Sequence, residues 1–325
     1  LAIALTFLFS SNTNSLFASG AVIAISIAGL STLTGWSGQV SIGNAGFMAV
    51  GAFSAAILLR DYPHATVIGT LLVATLCGAL TGLIVGLPAT RLRGPYLAGM
   101  TLAFGYAVPQ LIQNGGTFTG GSAGLQLPRL VAPGWFTNLV GSSNPFAVDQ
   151  QWISIVTILV VGVSFFGLSN LFTSRFGMSM RLVRDNEVAA ELAGLRLSRV
   201  RVSAFIISAA FAGLSGGLLA LVRGGVSPQD FSPGLSITLL ALMVLGGIGT
   251  LPGAILAGIV SAYSDTVVTW LTNLLGIDPA SSFGANLKGM IFGLLLVVTM
   301  LTAPRGVVGV LSEMRRKTDR LVARK

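Results

Sequence analysis

Long runs of apolar residues, separated by short polar connections, make up most of the chain. A helix crosses the hydrocarbon core of a bilayer, about 30 Å thick, with roughly 20 apolar residues. Runs bounded by proline, glycine, asparagine or charge predict spans near residues 1–9, 16–33, 40–59, 65–87, 95–113, 152–172, 202–222, 235–249, 251–271 and 283–302. The pattern therefore predicts an all-α polytopic membrane protein, a single transmembrane domain over residues 1–325 with about eight to ten transmembrane helices.

Two of these runs are shorter than a full crossing. The run at residues 1–9 is expected to be part of a helix rather than a signal peptide, which would need a charged flank and a cleavage site. The run at residues 235–249 is compatible with a crossing helix or with a re-entrant or broken helix. The pattern alone leaves these alternatives open.

Composition excludes an ordinary soluble protein. Hydrophobic residues make up 53% of the 325 positions and charged residues only 9%, whereas a soluble domain carries charge on about a quarter of its positions. The net charge is +9, but the basic residues cluster in short segments between apolar runs rather than among aromatic residues. They therefore indicate orientation in a lipid bilayer and not a nucleic-acid partner.

The basic segments orient the spans. Arg91 and Arg93 share one turn, residues 175–201 hold six arginines against three acids, and residues 305–325 hold seven basic residues against two acids. Cytoplasmic connections carry such an excess, so all three are expected in the cytoplasm, the last as a basic tail. The connection 114–151 has only Arg129 and Asp149 and is expected outside. Ten crossings satisfy these assignments and place both termini in the cytoplasm.

Residues for catalysis or metal binding are missing from the pattern. The chain has one cysteine, Cys77, and one histidine, His64, and it lacks GxSxG and HExxH elements. No lysine follows a glycine, as a phosphate-binding loop would require. The sequence thus predicts a transport subunit rather than an enzyme, with no metal and no cofactor of its own. Any ATP that drives transport would be bound by a partner subunit.

Residues 175–201, which we call the Arg-rich segment, predict a short helix between two strong spans. Asp185 or Asn186 can cap its start, Asp185 and Glu187 place negative charge at its positive end, and Gly194 suits a left-handed stop. The apolar residues between them form a surface too small to bury itself. The segment is either a solvated loop that satisfies the charge rule or a docking element.

Five motifs occur in the order in which one transporter family carries them. They are GWSGQVSIGNAGFMAVGAF at 35–53, LRGPYLAGMTLAF at 92–104, TGGSAGL at 119–125, RFGMSMRLVRDNEVAAELAG at 175–194 and LGGIGTLPGAILAG at 245–258. Together they resemble the LivM-type permeases of branched-chain amino acid ABC importers. The resemblance implies ABC importer permease architecture in a bacterial inner membrane. It also implies a second, LivH-like permease, two cytoplasmic ATP-binding subunits and an extracytoplasmic substrate-binding protein as partners.

The same resemblance makes residues 175–201 a cytoplasmic coupling loop on an ATPase. The residues that would carry this role are Arg184, Asp185, Glu187, Ala189, Ala190 and Gly194. Importer permeases share a motif in which Glu-Ala-Ala precedes a glycine, and here Val188 stands in the place of that glutamate. Ala123 and Ala254 also depart from residues that are frequent in the family. These departures leave the substrate open among those that related permeases serve, which are branched-chain amino acids, other amino acids, urea and short amides. Branched-chain amino acids are the main expectation.

Polar residues in the glycine-rich stretch 39–51 suggest a translocation path. Gln39, Ser41 and Asn44 introduce amide and hydroxyl groups there, which either line a path or bond across helices. The alternative function is a secondary transporter or channel for a small polar solute such as urea or an amide. Such a protein would need intramembrane carboxylates for its coupling ions, and Asp265 is the main acid available within a span.

Asp265 and Lys288 are predicted to form a structural ion pair near the outer end of the membrane. Each lies roughly 8 to 9 Å inside the predicted end of one of the last two spans, at 1.5 Å per residue. Antiparallel neighbours would bring the two charges level, which favours pairing because an unpaired charge in the bilayer is costly. The alternative is that each side chain extends separately to water.

Overall fold

The computed structural model describes residues 11–92, 94–128, 131–140 and 145–275, with residues 290, 293, 306, 308 and 309 as isolated positions. The helices of this part are α1 Ser11–Ser31, α2 Asn44–Asp61, α3 Val67–Ala89, α4 Pro95–Gln113, α5 Gly134–Val140, α6 Pro145–Thr173, α7 Arg175–Asp185, α8 Glu187–Leu192, α9 Leu197–Arg223, α10 Pro233–Gly246 and α11 Leu251–Leu275. A π-helical turn, Thr32–Trp36, continues α1, and 3-10 turns occur at Gly121–Ala123 and Pro228–Phe231. The predicted all-α class is confirmed.

Eight of the predicted spans coincide with helices α1, α2, α3, α4, α6, α9, α10 and α11. The spans predicted at 1–9 and 283–302, like the basic tail, lie outside the described ranges. Within those ranges, four stretches are long and apolar enough to cross a membrane: Asn14–Trp36, Val67–Ala89, Val148–Thr173 and Leu197–Arg223. Helix α10 has 14 residues, about 21 Å, and so is too short for a 30 Å core, as its sequence suggested.

Helix α9 lies at the centre and packs on α1, α2 and α3. Its glycines make these contacts close: a Cβ placed on Gly213 would lie 2.9 Å from Gly78 Cα and 2.6 Å from Ala74 O. Gly51 of α2 approaches the backbone of Gly213 from another side. Small residues allow backbones to meet in this way and gain dispersion energy where lipid removes the hydrophobic drive between helices.

The connection between α1 and α2 comprises residues 32–43 and includes the first four residues of the span predicted at 40–59. Helix α2 begins instead at Asn44, which is buried. Its first free N–H groups need acceptors, and side chains of other helices supply them. Thr101 Oγ1 accepts from Ile42 N at 3.0 Å, and Ser236 Oγ accepts from Ala45 N at 2.9 Å. Non-helical backbone is tolerated here because protein encloses it.

A two-stranded antiparallel pair lies at the carboxyl-terminal end of α9. Strand β1, Leu125–Gln126, pairs with β2, Gly225–Val226, directly after the left-handed Gly224 that ends α9. Arg60, near the end of α2, donates to Phe118 O at 2.8 Å in the same connection. These bonds fix the TGGSAGL motif against the end of the central helix.

Candidate functional site

A cavity of about 370 Å³ lies between the α1–α2 connection, the start of α4 and the Arg-rich segment. The connection contributes Ser37, Gly38, Gln39 and Val40; the α4 region contributes Leu92, Gly94, Pro95, Leu97 and Ala98; and the Arg-rich segment contributes Val183, Arg184, Glu187 and Arg201. Residues that the sequence assigns to two separate roles, Gln39 to a path and Arg184 and Glu187 to coupling, thus share one cavity. No feature of the sequence predicted that these residues meet.

The three predicted path residues lie in different surroundings. Gln39 lines the cavity and donates through Nε2 to Ser37 Oγ and, at 3.4 Å, to Arg201 O. Ser41 is buried and accepts from Gly43 N at 3.5 Å. Asn44 is buried and donates to Ser26 Oγ of α1 at 2.6 Å. In this conformation Asn44 bonds across helices, while Gln39 alone of the three borders the cavity.

The Arg-rich segment forms two helices before α9, not the single short helix that its sequence suggests. Asn186 separates α7 from α8 because its backbone is extended, with φ −155° and ψ 102°. Its side chain accepts from Ala189 N at 3.0 Å, so Asn186 rather than Asp185 provides the side-chain cap. Gly194 has φ +80°, the left-handed stop that the sequence predicts.

Charged side chains tie this segment to its surroundings. Glu187 forms an ion pair with Arg201 of α9, whose side chain is only 13% exposed. Arg184 bonds Asp185 at 2.8 Å through Nε, and its Nη1 donates to Gly35 O in the α1–α2 connection. Arg184 therefore reaches across 149 residues of sequence.

The outward surface of α7 and α8 carries two apolar pairs among charged side chains. Met178 and Leu182 lie four residues apart on α7, Val188 and Leu192 lie four apart on α8, and all four side chains are exposed. Residues four apart share a helix face, so each helix presents an apolar pair outward. We call these four residues the apolar coupling surface. Ala190 lies on the opposite side and is fully buried, and Ala189 is half-buried.

Trp36 and Arg181 were not singled out from the sequence, although both belong to this site. The Trp36 ring stacks on the Phe172 ring at 4.0 Å between centroids, and the Arg181 guanidinium carbon lies 4.1 Å from the Trp36 centroid. Trp36 Nε1 donates to Gly249 O at 2.8 Å. The one available signal was the tryptophan inside the Gly35 motif, because a buried indole usually needs a hydrogen-bond acceptor.

The predicted ion pair between Asp265 and Lys288 falls outside the described part of the chain. Lys288 and the side chain of Asp265 lie outside what the structure describes. The backbone of Asp265 lies in α11, which continues to Leu275 instead of the predicted Leu271. Asp265 is therefore about 15 Å from that helix end rather than 8 to 9 Å. Across the described ranges, no group of three or more His, Cys, Asp or Glu side chains could hold a metal ion.

Residues 12–300 match the family described as the permease component of branched-chain amino acid transport systems. The chain is 35% identical over 278 residues to LivM of Escherichia coli K12, which covers 81% of this chain and 65% of that protein. It is 36% identical over 250 residues to LivM of Salmonella typhimurium, with 73% and 59% covered. LivH of Escherichia coli K12 is 29% identical over 218 residues, with 66% and 64% covered. The chain spans less than two thirds of the length of these relatives.

Proposed function

Because the chain belongs to the permease family of branched-chain amino acid transport systems, we propose that it is one of two permease subunits of an ATP-driven importer. It is a multi-pass membrane protein, and we place it in a bacterial inner membrane. Its proposed solutes are branched-chain amino acids. A LivH-like permease, two cytoplasmic ATP-binding subunits and an extracytoplasmic substrate-binding protein complete the importer, and the partner ATPases bind the ATP.

The observation that carries this proposal is the apolar coupling surface beside six arginines. Val188 is 66% exposed and Leu192 is 85% exposed, although apolar side chains of that size gain free energy when they leave water. The arginines of residues 175–201 mark the cytoplasmic side. An apolar surface on the cytoplasmic side, held by capped helices, fits a docking element on an ATPase better than a solvated loop.

We further propose that the solute passes beside residues 39–51. Two features support this path: the non-helical backbone of residues 38–43 inside the protein, and the cavity that Gln39 borders. Transporter folds use such broken helices near their solute sites because freed backbone dipoles can receive a polar solute. Amide and backbone dipoles suffice for a zwitterion when affinity lies in a separate binding protein.

Purification of the tagged chain in mild detergent from its own membranes tests the proposed assembly. We expect it to bring down a second permease and two ATP-binding subunits. In proteoliposomes the complex should take up leucine only with internal ATP and external binding protein. Excess isoleucine should compete, and excess urea should not. The alternative, a secondary transporter, requires the chain alone to move solute without ATP, and that result would overturn the proposal.

Cysteine labelling tests the path separately. In a Cys77→Ala background, Gln39→Cys, Ser41→Cys and Asn44→Cys are treated with a small water-soluble thiol reagent with and without ATP. We expect Gln39→Cys to react in the resting state, because it borders the cavity, and the two deeper positions to react in another nucleotide state. If no position reacts in any state, residues 39–44 serve packing only.

A further inference from the structure

We propose that the α1–α2 connection transmits movement of the Arg-rich segment to the translocation path, with Arg184 and Trp36 as its positioning residues. This inference rests on the proposed importer function, which requires ATPase movement to reach the solute. It goes further by assigning the contact through which that movement passes. The contact joins residues 35–39 to α6, α7, α9 and the turn before α11.

Trp36 forms the first half of the contact. Its ring packs on Phe172 at the end of α6 and on Arg181 of α7, and its Nε1–H bonds Gly249 between α10 and α11. Arg181 also donates to Phe172 O at 2.9 Å, which holds the guanidinium beside the indole. A displacement of α7 therefore displaces Trp36, and Trp36 is bonded to the turn that joins the last two described helices.

Arg184 forms the second half. Its Nη1 donates to Gly35 O. Its Cγ packs so closely on Gly38 that a Cβ added to Gly38 would lie only 2.8 Å from it. Arg184 thus holds the connection by a charge-assisted bond and by contact of its aliphatic stem. Asp185 and Glu187, which follow it, lead directly into α8 and the apolar coupling surface.

Arg201 extends the contact to the cavity wall. Its guanidinium pairs with Glu187 at the start of α8, while its carbonyl accepts from Gln39 Nε2. A rotation of α8 would therefore move Glu187 relative to Arg201. Because Arg201 also bonds Gln39, the hydrogen bond of Gln39 Nε2 would change as well. The cavity is bordered by the four residues of these contacts, Arg184, Glu187, Arg201 and Gln39. Its shape therefore depends on the positions of α7 and α8.

The connection itself is suited to a second arrangement. It contains a π-helical turn, a type of irregularity frequent at functional sites, and Gly38 with φ +72°. Gln39 Oε1 is buried and finds no hydrogen-bond donor among the described residues. A second arrangement of the connection could bring a donor to this buried acceptor.

Arg184→Met in the complete complex is the direct test, because methionine keeps an aliphatic stem and removes the bond to Gly35 O. In proteoliposomes we expect normal assembly and ATP hydrolysis within about twofold of wild type, with leucine uptake per ATP at least about tenfold lower. Arg199→Met, which removes an exposed arginine from the same segment, is the matched control and should keep the wild-type ratio.

Trp36→Phe gives a second, milder reading. It keeps an aromatic ring against Phe172, removes the Nε1–H bond to Gly249 O and reduces the ring surface that Arg181 contacts, so uptake per ATP should fall by a smaller factor. A ratio equal to wild type in both variants would overturn the proposal, as would a parallel loss of assembly, hydrolysis and uptake, which is the signature of a structural role. Uptake by the wild-type complex tests the importer function. The ratio of uptake per ATP in each variant to that in wild type tests the proposed contact, so either proposal can fail without the other.

Discussion

Leu192 is a leucine that the chain alone leaves 85% exposed, while Ala190, two residues before it, is fully buried. Two neighbours on one short helix therefore have opposite roles. Ala190 packs α8 onto the rest of the protein, and Leu192 faces outward with Val188. The distinction matters because the sequence marks Ala190 as part of a coupling motif, whereas the structure assigns the outward face to its larger neighbours.

Leu192→Asp should reduce uptake by about tenfold or more, because a desolvated carboxylate at an apolar interface costs at least the free energy of an interface hot spot. The permease itself should insert normally and keep its thermal stability, because Leu192 is exposed. Ala190→Asp should instead lower the stability and amount of the permease. Copurification of the ATPase with each variant measures the difference, and equal behaviour of the two variants would contradict the assigned faces.

Gly194→Ala should destabilise the end of α8 by about 1 to 2 kcal/mol, because an L side chain at φ +80° is strained. No atom lies within 4 Å of the added Cβ, so the effect comes from the backbone alone. Uptake should fall with little loss of inserted protein. Gly134→Ala is the control, since its added Cβ is equally free and its φ is not in the left-handed region.

Local chemistry at these residues was predictable from sequence, and tertiary contact was not. The cap before Ala189 and the left-handed Gly194 follow from side-chain and backbone preferences of single residues. The direction in which Ala190 faces depends on how α8 packs against α7 and α9, and the pairing of Trp36 with Arg181 joins elements more than 140 residues apart in sequence. No local rule contains that information, so the site was recovered in parts rather than as one cavity.

Helix α9 organises the fold at the scale of elements, since α1, α2, α3, α6, α7 and α8 all contact it. Its crossing with α2 and α3 depends on Gly213, where three backbones approach closely. Apolar composition predicted that this helix exists and where it lies. Its central position was not predictable, because a glycine-rich apolar helix has the same composition in the middle of a bundle as at its edge.

Gly213→Val should destabilise the permease by about 1 to 3 kcal/mol or more, because the added atoms meet backbone that cannot move aside. The expected result is a lower unfolding temperature in detergent and less inserted protein. Gly162→Val in α6 is a matched control, since nothing lies within 4 Å of its added Cβ. Equal unfolding temperatures for the two variants would argue against the close crossing.

The bounds of α4 were predicted well because a proline marks its start, whereas the start of α2 was predicted poorly because other helices decide it. Helix α4 was predicted at 95–113 and observed as Pro95–Gln113, because Pro95 sets its first turn. Helix α2 starts four residues later than its predicted span, at Asn44. Its start is fixed by Thr101 and Ser236, which satisfy the backbone there, and a hydropathy pattern cannot show such partners.

Charge sets the orientation of the whole molecule, and the remaining charges inside spans must be accommodated. Arg184, Glu187 and Arg201 meet at one end of the described bundle, in agreement with a basic cytoplasmic side. Asp265 lies deep in α11, about 15 Å from its described end. An unpaired charge at mid-bilayer costs about 2.5 to 3.5 kcal/mol on insertion scales, so a cationic partner is still expected, whereas the level position of Lys288 was derived from the shorter predicted helix.

If Asp265 and Lys288 are paired, Asp265→Ala and Lys288→Ala should each lower the amount or stability of the permease more than the double variant does, because each single change leaves one charge without its counterion. The interaction should amount to about 0.5 to 3 kcal/mol in a double-mutant cycle. Unfolding temperatures and inserted amounts of the four proteins measure it. Additive losses would mean two independent charges that extend to water.

The bond between Ala45 N and Ser236 Oγ joins the starts of two helices that are 191 residues apart in the chain. During synthesis at about 5 to 20 residues per second, roughly 10 to 40 s separate the emergence of these two residues from the ribosome. Throughout that interval the start of α2 lacks the acceptor that later satisfies it. The backbone at the start of α2 therefore completes its hydrogen bonds only after α10 has been made.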